Sequence, residues 1–361
     1  MGFVSAAYQD FRNLRDAEID LDAREVFLVG ENGQGKTNFI EALYLLCFGG
    51  SFRARRETVL VRNDSPSALV RGRLQISDGV SHHVSVSLER AGRKEIRVDT
   101  RVVRDRMELI ENAPCIVFAH QDLEFVSGPP EMGRRFFNQT QSLFDPLYID
   151  LLRSYRKVLR SRNVLLKERN VGLLEAFDTN LADIGQRIQS RREAIVEEFN
   201  RTFSPLYSAV SGAAAETAIS YRPSWKRGSA VPDVIRELAR TRARDLAFET
   251  TTSGPHRDRF VVHQAGKEFA AQASTGQIRL ASLVLRVAQA NFVAAKTGRR
   301  PTLLLDDVLL ELDTGRRGRF LEALPDYEQA FFTFLPDEQY LSYRSAQTRI
   351  YRVAAGVLER A

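Results

Sequence analysis

Apolar residues recur along this chain in two rhythms, one of period two and one of period three to four. Alternation over residues 3–9 and 14–21, interrupted by Asp10-Phe11-Arg12-Asn13, predicts the strands of an antiparallel hairpin. Glu25-Val26-Phe27-Leu28-Val29 predicts a short buried strand, and Phe39, Ile40, Leu43, Leu46 and Cys47 then fall at helical spacing. Strand-like segments near 67–76, 83–88 and 95–103 follow, then a buried strand over Pro114-Cys115-Ile116-Val117-Phe118. The rhythm changes over residues 146–207. Tyr148, Leu151, Leu152, Tyr155, Val158, Leu159, Leu165 and Leu166 recur every three or four positions, as do Leu181, Ile184, Ile188, Ile195 and Phe199. They predict two amphipathic helices packed antiparallel across a turn at residues 170–172. Beyond them come a strand near 218–221, a helix over 233–247 and a hairpin over 260–269. A helix carrying Leu280, Leu283, Val284, Val287, Ala288 and Phe292 leads to apolar strands at 301–305 and 330–333. With no internal repeat or low-complexity tract, the pattern reads as an α/β core, residues 1–120 and 248–361, interrupted by a helical arm at 121–247.

Between the first buried strand and its helix lies Gly30-Glu31-Asn32-Gly33-Gln34-Gly35-Lys36-Thr37, a P-loop pattern. Strand, glycine loop and helix together aim backbone N–H groups and a helix N-terminus at one point, where a polyphosphate belongs. Lys36 can reach the β- and γ-phosphates of a nucleoside triphosphate, and the Thr37 hydroxyl can hold Mg²⁺. The plainer alternative is a glycine-rich turn with an exposed lysine; both flanks speak against it. The apolar strand Pro301-Thr302-Leu303-Leu304-Leu305 ends in Asp306 and Asp307. Set beside the glycine-loop strand, it would bring Asp306 to the Mg²⁺ and leave Asp307 to orient or deprotonate the attacking water. Alone, the same pattern describes a strand ending at a solvated turn. Ala273-Ser274-Thr275-Gly276-Gln277 opens another helix and makes a second phosphate-binding terminus, although one ATP already has its cradle. The economical explanation is a homodimer in which Ser274, Gly276 and Gln277 of one copy cap the nucleotide held by the other. An ordinary serine N-cap also explains this stretch in isolation.

The 361 residues carry a formal net charge of +6, which favours a polyanionic partner. Within residues 151–170, Arg153, Arg156, Lys157, Arg160, Arg162, Lys167 and Arg169 face a single acid, Glu168, a bias that a solvated helix face with mixed signs does not explain. Arg153, Arg156, Lys157 and Arg160 are the candidate DNA contacts. Cys47 and Cys115 both sit in apolar segments and read as buried thiols. No apolar run of bilayer-spanning length or signal-peptide pattern is apparent, so a cytoplasmic location is expected.

Taken in order, Phe11-Arg12-Asn13, Gly33 to Asn38, Gly50-Ser51-Phe52-Arg53, Gly128-Pro129, Arg134-Arg135-Phe136, Arg162-Asn163, Gly254 to Asp258, Ala273 to Gln277, Leu305 to Val308 and Glu311-Leu312-Asp313 resemble the RecF family of bacterial recombination mediators over essentially the whole length. The resemblance implies an ABC/SMC-like ATPase head with mixed sheets and an inserted, mainly helical arm. It further implies ATP and Mg²⁺ as cofactors, an ATP-dependent homodimer with slow DNA-stimulated hydrolysis, and double-stranded DNA at gaps or junctions as partner. RecO and RecR would be co-workers in loading RecA. Carried onto this sequence, Gly30, Glu31, Asn32, Gly33, Gln34, Gly35, Lys36, Thr37 and Asn38 hold nucleotide. Thr37, Asp306 and Gln121 are metal-linked, Lys36 and Asp307 catalytic, and Ser274, Gly276 and Gln277 act in trans. His120-Gln121, Asn138 and Leu310 depart from the family pattern, where proline with an acid, aspartate and serine are usual. An ABC transporter subunit is one rival, disfavoured because Thr333 stands where a switch histidine is expected; a P-loop kinase or GTPase is another, disfavoured by the trans motif.

Overall fold

The computed structural model describes residues 2–54, 56–75, 80–105, 107–112 and 114–361. Arg55 of the basic loop and Ile76 at the end of one expected strand lie outside the described residues. Strand β1 (Gly2–Gln9) pairs antiparallel with β2 (Ala17–Asp20), with Ala6 opposite Ile19. The second strand is shorter than the alternation predicts. Positive φ at Asp10 and Arg12 reverses the chain there, and Phe11 and Leu14 turn inward to full burial. Next come β3 (Glu25–Val29), α1 (Lys36–Phe48), β4 (Ser67–Gln75), β5 (Ser81–Glu89), β6 (Lys94–Val98), β7 (Arg101–Val102), α2 (Met107–Asn112) and β8 (Cys115–Phe118). One antiparallel sheet results, in the order β2-β1-β4-β5-β6-β7.

The chain then builds α3 (Glu124–Ser127), α4 (Pro130–Ser142), α5 (Pro146–Lys167), α6 (Leu174–Ser211), β9 (Thr217–Arg222), α7 (Val231–Ala247), β10 (Arg259–Gln264) and β11 (Lys267–Glu268). Helix α8 (Thr275–Thr297) leads to β12 (Thr302–Leu305), α9 (Thr314–Glu322), β13 (Gln329–Phe334), β14 (Thr348–Ala354) and β15 (Val357–Arg360). Two compact units emerge, Met1–Asp122 with Leu283–Ala361, and Leu123–Ser282. The second runs past residue 247 because β10 pairs with β9 along its whole length, Phe260 opposite Tyr221, and so holds residues 259–264 to the helices.

In the first unit a second sheet, ordered β15-β14-β3-β13-β12-β8, is parallel except for β15. Here the sequence expectation needs correction. The acidic strand β12 does not neighbour β3, because β13 runs between them and pairs with both. Helix α1 is buried on nearly every side, as its all-round apolar composition requires. Its Phe39, Leu43 and Leu46 share one core with Phe3, Val70 and Val86 of the antiparallel sheet and Val26, Leu304 and Phe331 of the parallel one. At about 1.5–3 kcal/mol per large apolar side chain, this clamp fixes the helix into which the glycine loop leads.

In the second unit, α5 and α6 form a helical hairpin whose Tyr148, Leu151, Tyr155, Leu181 and Ile188 pack with Trp225 and Leu238. Arg162 corrects the reading of a basic face. It is wholly buried, its guanidinium bonded to Asp178 at 2.7 Å and Asp245 at 2.8 Å. A second buried pair joins Arg192 to Asp258 at 2.7 Å. Gly254-Pro255-His256-Arg257-Asp258, without a derived role in the sequence, ties this unit together. The Asp258 carboxylate takes Arg192, the Tyr221 hydroxyl and the Ser224 N–H, while the Tyr155 hydroxyl bonds His256 Nδ1 at 2.8 Å. Helix α8 is long and apolar enough to cross a membrane, but 72% of that stretch is buried in the fold.

Candidate nucleotide-binding site

The glycine loop leaves the C-terminal end of β3 and enters α1 at Gly35, whose φ of 120° is a conformation that L side chains rarely adopt. Gly30 serves a different need. A Cβ there would lie 2.2 Å from the Val353 carbonyl oxygen of β14, so only glycine lets the two backbones approach. A cavity of about 250 Å³ opens over the loop, lined by Glu31, Asn32, Gly33, Gly35, Lys36, Thr37, Asn38, Arg53 and Asp307. Gly30 and Gln34, expected to hold nucleotide, do not line it. Gln34 is instead clamped from the β14–β15 turn, its side chain accepting from Ala355 N–H at 2.6 Å and its carbonyl from Gly356 N–H at 2.9 Å.

Lys36 is buried, and its ammonium folds back onto the carbonyl oxygens of Gly30 at 2.5 Å and Glu31 at 3.2 Å. Thr37 Oγ1 donates to Asp306 Oδ1 at 2.9 Å, joining the start of α1 to the end of β12. That contact forms even though β13 separates the two strands. Residue Thr333 of the intervening strand completes the cluster: its hydroxyl accepts from Asp307 N–H at 2.6 Å and donates to the Asp307 carboxylate at 2.9 Å. Asp307 takes a left-handed φ of 52°, uncommon for a residue with a Cβ, which turns it into the cavity. Burial, with the charge of Asp307 second, pushes the Asp306 pKa up to about 6. A cation beside the pair would reverse that balance.

A polar network under the loop was only partly visible in sequence. Arg53 bonds Asn38 Oδ1 and, at 2.8 Å, Glu41 Oε2, while Arg12 forks onto both Glu41 oxygens at 3.0 and 3.2 Å. Burial opposes the charge of Glu41, but hydrogen bonds from Arg53, Ser51 and Arg12 outweigh it and hold its carboxyl below the usual range. Asn13 reaches the Gly33 carbonyl at 3.2 Å. The signal for Arg53 was its basic loop; for Thr333, a polar residue inside an apolar strand.

Ser274, Gly276 and Gln277 belong to the second unit, at the exposed start of α8. Ser274 and Gln277 cap that helix reciprocally: Ser274 N–H donates to Gln277 Oε1 at 2.7 Å and Gln277 N–H to Ser274 Oγ at 3.3 Å. Arg153, Arg156, Lys157 and Arg160 are all exposed on α5, with Arg153 paired to Asp150 at 3.3 Å. Gln121 falls in the turn His120–Leu123, and its side chain lies outside the described residues, as does that of Glu311.

A parallel sheet carrying a P-loop, an acidic strand two places away and an antiparallel sheet sharing its core define the class, an ABC/SMC-type ATPase head. The comparisons agree, since the model of the RecF/RecN/SMC N terminal domain family matches residues 5–359. The DNA replication and repair protein RecF of Treponema pallidum (strain Nichols) is 43% identical over 96% of this chain and 98% of its own length. That of Synechococcus sp. (strain JA-2-3B'a(2-13)) is 35% identical over 90% and 88%. Among solved structures, the recombination mediator protein RecF-ATP in the RecFOR pathway matches with a TM-score of 0.91 at 27% identity, covering 100% of this chain and 97% of the other. An Smc head bound to the C-winged helix domain of ScpA matches at 0.56 and 13% identity over 100% and 98%, a likeness of fold alone. The chain belongs to the RecF family.

Proposed function

We propose that this protein is an ATP-dependent clamp on double-stranded DNA in recombinational repair. ATP joins two copies, the joined pair holds duplex near gaps or stalled forks, and slow DNA-stimulated hydrolysis releases it. Working in the cytoplasm with RecO and RecR, it helps RecA to load. The observation that carries the ATPase part of this reading is the 2.9 Å bond from Thr37 to Asp306, which joins the two halves of a P-loop site. The partners rest on kinship, since a relative 27% identical is described as RecF-ATP in the RecFOR pathway.

The residues fit the ligand. A Cβ at Gly33 would meet nothing within 4 Å, so the loop is open where phosphate oxygens would approach. The Lys36 ammonium, held by two carbonyls, can exchange them for the β- and γ-phosphates. Thr37 and Asp306 would hold Mg²⁺, which supplies charge neutralisation at the phosphates when bound; Gln121 joins them on the strength of the resemblance. Asp307, oriented by Thr333, positions the attacking water and accepts its proton. Glu31, Asn32, Gly33, Gly35 and Asn38 line the phosphate seat, while Gly30 and Gln34 shape the loop from behind. Ser274, Gly276 and Gln277, exposed at a helix start, cap the γ-phosphate on a second copy. Arg153, Arg156, Lys157 and Arg160 contact the DNA backbone.

Solution mass by light scattering tests the reading, with Asp307→Asn blocking turnover. A monomer that doubles in mass with ATP and Mg²⁺, or with ATP and duplex together, is the expected result. A species that stays monomeric with ATP and DNA present would leave the residues at 274–277 without a nucleotide to cap and would overturn the clamp.

A further inference from the structure

The first unit holds a second, larger concavity that shares no lining residue with the nucleotide cavity. This groove of about 960 Å³ begins where β3, β13 and β14 start, at Arg24, Gln329 and Thr348, and follows β14 as far as Arg352. The P-loop leaves the opposite end of β3, roughly 13 Å away along a five-residue strand. Arg24, Arg300, Arg344, Arg349, Arg352 and Arg360 line the groove, and among the described residues Asp22 and Glu328 are the acids of its lining. Three of these arginines are structural. Arg24 and Arg300 share Asp326 at 3.0 and 2.9 Å, and Arg349 pairs with Asp20. Arg344 and Arg352 are exposed and make no ion pair among the described residues. Arg24 also stacks over the Tyr327 ring at 5.0 Å, which fixes the plane of its guanidinium.

Asp326 and Asp20 offset three of the six arginines; Arg344 and Arg352 remain as excess positive charge in an open groove, where burial does not require their mutual repulsion. A ligand bearing regularly spaced negative charge would relieve that repulsion and take bidentate bonds from the guanidinium forks. The apolar content decides between ligand classes. Among the described residues of the lining, Leu341 is the large apolar side chain that is strongly exposed, at 60%, and they form no deep apolar pocket of the kind that anchors a protein partner. A polar rim of arginine, glutamine, threonine and tyrosine is what a phosphodiester backbone takes. We propose that this groove is a second seat for the phosphate backbone of nucleic acid, on the ATPase unit and separate from the basic face of α5. The proposal rests on the DNA-clamp reading above.

The test is the salt dependence of duplex binding by the full chain. Fluorescence anisotropy of a labelled blunt duplex is followed between 50 and 200 mM salt, with ATP and Mg²⁺ present. Arg344→Ala with Arg352→Ala leaves the pairs to Asp326 and Asp20 intact. Losing two phosphate contacts should flatten the slope of log K against log salt by up to ~1.8, at about 0.9 per contact. Binding of a fluorescent ATP analogue and the thermal melt should not change. Arg156→Ala with Arg160→Ala is the parallel variant on α5. If that variant flattens the slope and the groove variant does not, DNA is held by the helical unit and the groove proposal is overturned while the clamp reading survives. If the unmodified protein binds no duplex, the clamp reading falls and takes the groove with it. If the groove variant keeps the DNA slope but loses binding to a labelled poly-glutamate peptide, the groove serves an acidic protein segment, and the nucleic-acid seat is wrong.

Discussion

Replacing Thr333 by valine probes the least expected member of the site. The swap keeps the shape of a side chain that is 3% exposed and removes only its hydroxyl. That hydroxyl accepts the Asp307 N–H at 2.6 Å and donates to the Asp307 carboxylate at 2.9 Å, so it pins both ends of a residue held at positive φ. Leaving the N–H unpaired costs about 1–3 kcal/mol, and the left-handed backbone loses its restraint. If Asp307 orients the attacking water, and if ATP is held by Lys36 and the loop as proposed rather than by Thr333, most of that energy is lost from the transition state. The expected outcome is roughly 5- to 150-fold slower hydrolysis, taking about 1.4 kcal/mol per factor of ten, with nearly unchanged affinity. Single-turnover hydrolysis under saturating ATP measures the chemical step, and a fluorescent nucleotide measures binding. The assay temperature should sit well below the melt of the variant, since the same lost bond lowers stability. A folded Thr333→Val protein that hydrolyses ATP at the unmodified rate would refute the reasoning, and would move the catalytic carboxylate away from Asp307. A variant that loses ATP binding instead would mean that Thr333 supports the phosphate seat, not the water.

Three further outcomes follow from other parts of the molecule. Lys36→Met should abolish binding of a fluorescent ATP analogue without lowering the melting temperature, since among the described residues the ammonium bonds the Gly30 and Glu31 carbonyls alone; retained binding would discard the phosphate role. Arg162→Met should cost about 3–5 kcal/mol in chemical denaturation, because it strips a guanidinium from the buried carboxylates of Asp178 and Asp245; a loss under 1 kcal/mol would mean that Arg242, also bonded to Asp178, suffices. His256 gives a pH signature: burial, and secondarily the cations Arg257 and Arg134, bring its pKa down from 6.5 to about 4, and its Nε2–H faces the Thr251 carbonyl while Nδ1 accepts from Tyr155. A lowered pKa in the folded state means that the unfolded chain takes up the proton first, so this contribution is full above pH 6.5 and is lost as pH falls towards 4, by up to about 3 kcal/mol. Asp306 is shifted in the opposite sense, its pKa raised, so the measurement is the difference between unmodified protein and His256→Gln across pH 4–7, in which Asp306 cancels; parallel stability curves would refute the assignment.

What could be read from the chain and what could not divides along the range of the interaction. The glycine loop was legible because its strand, turn and helix are contiguous: four apolar residues in a five-residue strand, glycines where φ is positive, and a helix apolar all round. The α5–α6 hairpin was legible for the same reason, as its period is written within one stretch. Strand order is written nowhere locally. That β13 slips between β3 and β12 follows from how the crossovers pack, and it converts an expected adjacency of strands into a contact made by side chains alone. Arg162 went unrecognised as a core residue because its partners are 16 and 83 positions away. The charge bias over residues 151–170 grouped it with a basic face, where its neighbours Arg156 and Arg160 do lie exposed.

The intervening strand explains more than a mistaken neighbour. Had β12 lain beside β3, Asp306 and the P-loop would have been held together by backbone pairing, and no third element would have reached the carboxylates. With β13 between them, its C-terminal end arrives at the site, and Thr333 meets both Asp306, at 3.5 Å, and Asp307. The same strand carries Phe331 into the core that α1 shares, so the residue touching the acidic pair and the residue packing behind the phosphate loop stand two positions apart on one rigid segment. A shift of β13 by even a fraction of its 3.3 Å residue rise would be felt at the acidic pair and at α1 together. If Asp307 is the hydrolytic carboxylate and the glycine loop the phosphate seat, as proposed, coupling between them needs no long chain of intermediates: β13 is the mechanical link, and among the described residues its polar contact with the acidic pair is the hydroxyl that Thr333→Val removes.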